Sequence, residues 1–206
     1  MKSIFDSLND NNRKIETWID GKTSKSTSDR YDIVTNSATG EQCASVIMST
    51  KDDVEAAIQS SKKALQTWSQ TPVLRRARVM FKLKELIERD KKKIAQIITQ
   101  EHGKVLDDAE GSIQRGLEVV EFACGIPHLI KGEFNNQVGT GVDTFSMRQP
   151  LGICVGITPF NFPAMVPLWM FPLAISCGNT FILKPSEKAP TCANIWAELL
   201  KEAGLP

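Results

Sequence analysis

The sequence predicts an α/β fold in which short N-terminal strands and amphipathic helices lead into a βαβα unit. Three observations carry that reading. Apolar residues recur at helical spacing between positions 50 and 124, two short β-branched runs after position 150 flank a helix, and 206 residues at 41% hydrophobic content can fill one substantial core. Lys and Arg number 25 against 24 Asp and Glu, a net charge of +1, so the chain lacks the basic field that nucleic-acid binding needs.

The elements follow in order. Thr17-Trp-Ile19 before Asp20-Gly21 signals a hairpin, and Tyr31-Asp-Ile-Val34 alternates before a turn at Asn36–Gly40. Thr50 with Asp53 opens a helix whose buried stripe is Val54, Ile58, Ser61, Leu65 and Trp68. Pro72 stands at the first position of a second helix, with Val73, Ala77, Met80 and Ile87 inward. Asp90 and its three lysines lead into a third, with Ile94, Ile97 and Ile98 buried and the lysines solvated. His102-Gly103 ends it, and Asp107-Asp108 opens another, with Ile113, Leu117, Val120 and Cys124 at helical spacing.

After Pro127 the segment from Asn135 to Gln149 is polar and mildly alternating, an extended arm and not a core element. Leu151-Gly-Ile-Cys-Val-Gly-Ile157 then reads as a strand buried on both faces. A helix over about 163–176, a second buried strand at Thr180-Phe-Ile-Leu183 and a helix from Ala189 to Ala203 complete the unit. Such a unit predicts parallel strands whose ligands sit at the carboxyl ends, here Thr158-Pro-Phe-Asn161 and Lys184-Pro-Ser-Glu187.

Gln149 to Leu183 holds no charge and is long enough to span a bilayer, but Pro159, Pro163, Pro167 and Pro172 favour a buried α/β core over a membrane segment. Met1 to Asp20 mixes acids and bases, so it is read as no secretory leader and a poor match to a mitochondrial presequence. The five scattered cysteines form no C-x-x-C pair and read as reduced thiols in an intracellular compartment. Cys124 and His128 have ligand-like spacing without a second pair, so no metal site is expected. The location expected is cytoplasmic.

There is no P-loop, and Gly139-Thr-Gly141 neither follows a core strand nor opens a helix. What remains is Asn161 after the first strand and Lys184 with Glu187 after the second. An amide at a strand end can donate to a developing oxyanion, and a lysine and glutamate three apart can hold ribose hydroxyls. By spacing alone, Asn161 also reads as a turn residue and the pair as an ordinary helix start.

Met147-Arg-Gln-Pro-Leu-Gly-Ile-Cys-Val-Gly-Ile-Thr-Pro-Phe-Asn-Phe-Pro163, followed by Gly178-Asn-Thr-Phe-Ile-Leu-Lys-Pro-Ser-Glu187, resembles the aldehyde dehydrogenase superfamily. Phe162-Pro-Ala-Met-Val-Pro-Leu-Trp-Met-Phe-Pro172 is similar to its CoA-acylating methylmalonate-semialdehyde branch. The likeness runs from Trp18-Ile-Asp-Gly21 through Glu101-His-Gly-Lys104 to Lys201-Glu-Ala-Gly-Leu-Pro206.

The resemblance implies a set of roles. Asn161 matches the amide that stabilises the thiohemiacetal oxyanion, and Thr158 and Phe160 match positions lining the NAD cleft. Lys184, Glu187 and Lys188 match contacts to the adenosine half of NAD, and Arg115 the arginine that reads the carboxylate of a semialdehyde. Arg115 lies two residues past Ile113, off its helix's buried stripe; a plain surface arginine is the other reading. The implied organisation is strands and helices of a Rossmann-like NAD-binding domain over 1–134, an oligomerisation arm over 135–150 and the first βαβα portion of the NAD-binding sheet over 151–206. NAD and the co-substrate CoA are the implied small molecules, and a homo-oligomer the implied assembly. By the family pattern alone the compartment would be mitochondrial.

The sequence also departs from that pattern. The family's nucleophilic cysteine and assisting glutamate lie in later motifs, and none of Cys43, Cys124, Cys154, Cys177 and Cys192 sits in a nucleophile-like context. The expectation is therefore an incomplete aldehyde dehydrogenase fold, catalytic domain absent, with no activity on its own. The alternative is an inactive paralogue that acts as a binding module or associates with full-length subunits.

Overall fold

In a computed structural model, which describes residues 4–7, 10 and 12–206, the N-terminal strands form two small sheets. The leader reading touches residues 1–3, 8, 9 and 11, which lie outside the described residues. Strand β1 (Lys14–Ile15) runs parallel to β5 (Gln42–Ile47), and β4 (Tyr31–Thr35) pairs antiparallel with β5. Strands β2 (Thr17–Ile19) and β3 (Lys22–Ser24) form the hairpin read from the sequence. Asp20 and Gly21 turn it at φ 57° and 68°, the backbone a two-residue hairpin favours. Strand β5 had no signal of its own, because Gln42-Cys-Ala-Ser mixes small and polar residues that alternation does not pick out.

Helix α1 (Lys51–Trp68) starts at a complete capping box, the Thr50 side chain accepting from the Asp53 amide and Asp53 accepting from the Thr50 amide. Its inward face departs from the expected stripe at the first turn. Val54 is 51% exposed, and the Asp53 carboxylate is buried there instead, accepting from Ser26 Oγ at 2.6 Å.

The two helices expected either side of Asp90 are one, α2 (Val73–His102), which begins one residue later than expected, with Pro72 at the N-cap and not at the first helical position. No glycine or proline interrupts the stretch, and Asp90 does not cap a new helix. It is buried within the helix and paired with Arg89 at 2.6 Å and Lys93 at 3.2 Å. Gly103, at φ 88°, closes α2 in the left-handed conformation that glycine adopts most readily. Helices α3 (Leu106–Cys124) and α4 (Ile126–Leu129) follow. Next comes an exposed hairpin, β6 (Phe134–Gly139) with β7 (Val142–Phe145).

Strand β8 (Ile153–Ile157), helix α5 (Met165–Ser176), strand β9 (Thr180–Lys184) and helix α6 (Thr191–Glu202) form the βαβα unit. The two strands are parallel in the register Ile153↔Thr180 to Ile157↔Lys184. Two expectations of burial fail here, and the first is β9, whose residues Thr180 to Leu183 are only half-buried. Strand β8 is not buried on both faces, since Val155 is 63% and Ile157 73% exposed, and Leu151 lies outside the strand at 94%. Helix α5 covers the other face, where Gly156 lets the Phe181 ring and Met170 come close.

The main core lies among α2, α3, α5 and α6. Gly116 is needed there, because a Cβ on it would stand 2.6 Å from Leu168 Cδ1 across the α3–α5 contact. Among the described residues no helix is long and apolar enough to cross a membrane.

Candidate functional site

The carboxyl ends of β8 and β9 are tied by one hydrogen bond, from the Thr158 amide to the Lys184 carbonyl at 3.0 Å. Thr158 is buried, and that bond sets the two loops beside each other. In the second loop Lys184 Nζ lies 3.5 Å from Glu187 Oε2. Glu187's own backbone N–H, and then the charges of Lys184 and Lys188, hold its carboxyl below the ordinary glutamate value against a little desolvation. It is ionised at neutral pH.

The first loop is held by aromatic contacts. Lys188 Nζ sits 4.9 Å from the centre of the Phe160 ring, and the His102 ring stacks with Phe160 at 6.5 Å and 28°. Burial and the neighbouring Lys104 charge lower the His102 pKa, so the imidazole is neutral at pH 7. An open cleft of about 440 Å³ lies beside these groups, lined by Ile33, Thr35, Glu101, His102, Phe160 and Lys188 among others.

Glu101 forms the dry end of that cleft. Its carboxylate accepts from the Thr191 amide at 3.3 Å and from the Thr191 hydroxyl, and lies 3.4 Å from Arg13. Desolvation raises its pKa to about 7, against the opposing pull of Thr191 and Arg13. One carboxyl thus joins the chain before β1, the end of α2 and the start of α6.

Lys104, just past the α2 cap, reaches across to the loop after β8. Its Nζ donates to the Asn161 carbonyl at 3.0 Å and stands 4.3 Å from the Phe162 ring centre. Burial lowers its pKa; Asp108 opposes that shift and Arg115 adds to it. Arg115 is exposed and makes no hydrogen bond or ion pair among the described residues. The Asn161 side-chain amide is likewise exposed and unbonded among them.

The sequence-derived candidates other than Arg115, which lies on α3, therefore gather at one sheet edge, by different links. Thr158, Lys184 and Glu187 are joined directly, Phe160 and Lys188 by a ring contact, and Asn161 through Lys104. Arg115 is joined to the group only through its charge on Lys104. Sequence reasoning gave no roles to Glu101, His102 and Lys104. Their only signal was the run Glu101-His-Gly-Lys104, which reads as a helix end and does not say where side chains past the cap will point.

The thiols offer no activated nucleophile among the groups with a resolved shift. Burial pushes the thiols of Cys43, Cys124, Cys177 and Cys192 up, Cys192 farthest. No three or more His, Cys, Asp or Glu side chains converge on a metal-sized site among the described residues.

The aldehyde dehydrogenase family profile matches residues 23–206. The chain is 49% identical over 194 residues to malonate-semialdehyde dehydrogenase 2 of Geobacillus thermodenitrificans (strain NG80-2), covering 94% of this chain and 40% of that protein. It is 51% identical over 193 residues to the acylating, mitochondrial methylmalonate-semialdehyde dehydrogenase of Arabidopsis thaliana, covering 94% and 32%. A solved structure from Sinorhizobium meliloti 1021, assigned as a methylmalonate-semialdehyde dehydrogenase complexed with NAD, superposes with a TM-score of 0.93 at 49% identity. That match covers 95% of this chain and 40% of the other. The chain thus spans about 40% or less of the length of these relatives.

Proposed function

The chain belongs to the aldehyde dehydrogenase family, and from that premise we propose that it serves the NAD-dependent, CoA-acylating oxidation of malonate or methylmalonate semialdehyde. The observation that carries this reading is the gathering of Asn161, Lys184 and Glu187 at the carboxyl edge of a parallel pair, where such sheets bind their ligands. The residues fit an adenosine ribose, since Lys184 can donate to a hydroxyl and the ionised Glu187 can accept from one. NAD, when bound, supplies the hydride acceptor, and CoA the thiol that carries the acyl group away.

The chain's own residues bind and orient. The exposed Asn161 amide donates to the substrate's carbonyl oxygen as it gains charge. The unpaired Arg115 guanidinium meets the carboxylate at the other end of the semialdehyde, for which its planar fork is suited. Thr158 and Phe160 line the cofactor cleft, and Lys188 steadies the Phe160 ring. In this reading residues 1–134 and 151–206 belong to the NAD-binding domain. Residues 135–150 form the arm for association with a second copy or a longer subunit, exposed along both strands of their hairpin.

These 206 residues alone turn over no semialdehyde, because an oxyanion donor acts only after a nucleophile has created the oxyanion. The test is NADH formation by the purified chain with malonate or methylmalonate semialdehyde and CoA, and none is expected. Turnover that survives changing all five cysteines to serine overturns the family mechanism here. Turnover lost on changing one of them overturns the inactivity and names the nucleophile. Saturation-transfer NMR with NAD provides a positive arm, in which weak contacts at the adenosine half disappear in Lys184→Met.

A further inference from the structure

The loop that carries Asn161 has little main-chain support. It leaves β8 through Pro159, and among the described residues neither Phe160 nor Asn161 makes a backbone–backbone hydrogen bond. Main-chain bonding resumes with Val166 N–H to the Phe162 carbonyl. A loop without ladder bonds takes its conformation from the side chains against it, and here those come from three places. His102 on α2 and Lys188 hold Phe160, whereas Lys104 alone among them bonds Asn161 itself.

The direction taken by Lys104 needs explaining. A lysine beside a helix C-terminus can turn back to the last carbonyls of its own helix, where the helix dipole favours it. Lys104 follows the Gly103 cap of α2 yet donates to a carbonyl 57 residues away, with its ammonium over the Phe162 ring. It therefore brackets Asn161, gripping the residue's own carbonyl and the aromatic ring that follows. A charged donor makes the stronger kind of hydrogen bond, and the face of the ring adds a second attraction along the same ammonium.

We infer that Lys104 is the positioning residue of the Asn161 loop, fixing the direction of the Asn161 amide through one hydrogen bond to that residue's carbonyl and one cation–π contact with Phe162. Its meaning for catalysis rests on the reading of Asn161 as an oxyanion donor. The groups facing Lys104 are the charged Asp108 and Arg115 on α3 and the titratable, neutral His102 on α2. Burial and Arg115 outweigh Asp108, so the ammonium loses its proton below the ordinary lysine value of 10.5.

The test is carbon-detected NMR of the 206-residue chain, which follows carbonyl resonances to high pH where amide protons exchange too fast. The Asn161 carbonyl carbon should shift upfield in a single step as Lys104 deprotonates, with the same midpoint as the Lys104 Cε resonance and below 10.5. In Lys104→Arg that carbon should hold its low-pH position without titrating. In Lys104→Met it should sit at or beyond the high-pH position at every pH, and the Asn161 side-chain amide resonances should move with it. An Asn161 carbonyl that does not follow Lys104, or side-chain amide resonances unchanged in Lys104→Met, overturns the inference. If Lys104→Met fails to fold, the wild-type titration decides alone. None of these signals depends on turnover, so failure of the semialdehyde reading leaves them standing and their failure leaves that reading standing.

Discussion

The helical layer and the outer face of β8 draw on the same aliphatic residues, and one is dry while the other is wet. Leu83, Ile87, Ile94, Ile113 and Leu168 are sealed between α2, α3, α5 and α6, none more than 1% exposed. Val155 and Ile157 share their chemistry and lie on one side of β8 facing solvent. The difference lies in what each pattern encodes. A helix with one apolar stripe names the side to be covered, and its neighbours in this chain cover it. A strand apolar on both sides names two surfaces to be covered, and in this chain α5 lies against one while the other leaves Val155 and Ile157 open.

The largest expected effect tests the dry side of this comparison. Leu168 is fully buried and fills the space that Gly116 leaves open between α3 and α5. Leu168→Ala should cost about 2–5 kcal/mol, the range for deleting a buried leucine where the surroundings relax only in part. Val155→Ser, on the wet side, should change stability by less than about 0.5 kcal/mol. Chemical denaturation of both variants at low protein concentration checks the pair. Equal losses would mean that Val155 is covered within the monomer.

A smaller effect sharpens the boundary between the regions, at the cleft. The Glu101 carboxyl keeps its proton to about pH 7 in the folded chain, against an ordinary value of 4.5. Below 4.5 both states are protonated and the group's contribution is complete. Between 4.5 and 7 the unfolded chain gives up a proton that the folded chain retains, so stability falls as pH rises, by up to about 3 kcal/mol. Glu187 and Glu202, with lowered values, act in the opposite sense, which makes the variant comparison necessary. Glu101→Gln keeps the acceptor for Thr191 and removes the titration. Its stability profile should be flatter across that window, read by denaturation at stepped pH. A parallel profile would place the proton elsewhere.

Much of the fold was legible because local rules agreed with the tertiary result. The Asp20-Gly21 turn, the Thr50 box and the Gly103 cap follow from short-range chemistry, and the parallel pairing of β8 with β9, though not its register, from the strand–helix–strand pattern. Asp90 misled because a buried, doubly paired aspartate inside a helix carries the same letter as a capping one. Val54 misled because the capping aspartate took the inward position in the first turn. At the site, the strand ends and their polar residues were legible from the βαβα pattern. Lys104 and Glu101 were not, since a contact spanning 57 or 90 residues depends on how α2 meets the sheet and α6, which no local spacing records.

The smallest effect on stability carries the sharpest reading of the wet face. Leu151, Val155 and Ile157 lie close together along the chain, and Phe145 and Met147 on the arm before them are 71% and 67% exposed. Apolar surface gathered in this way tends to be covered by a partner, and an uncovered strand edge is a template for pairing. The chain should therefore self-associate with rising concentration in sedimentation velocity. Val155→Lys with Ile157→Lys should shift it toward monomer, since two like charges on one strand face resist burial against a copy of themselves. The melting temperature at low concentration should stay near that of the parent, because neither side chain is packed in the monomer. A parent that is monomeric at every concentration and melts in one sharp transition would show that this face tolerates water. A double variant that unfolds would show that Val155 and Ile157 belong to the core after all, and the two regions would then be one.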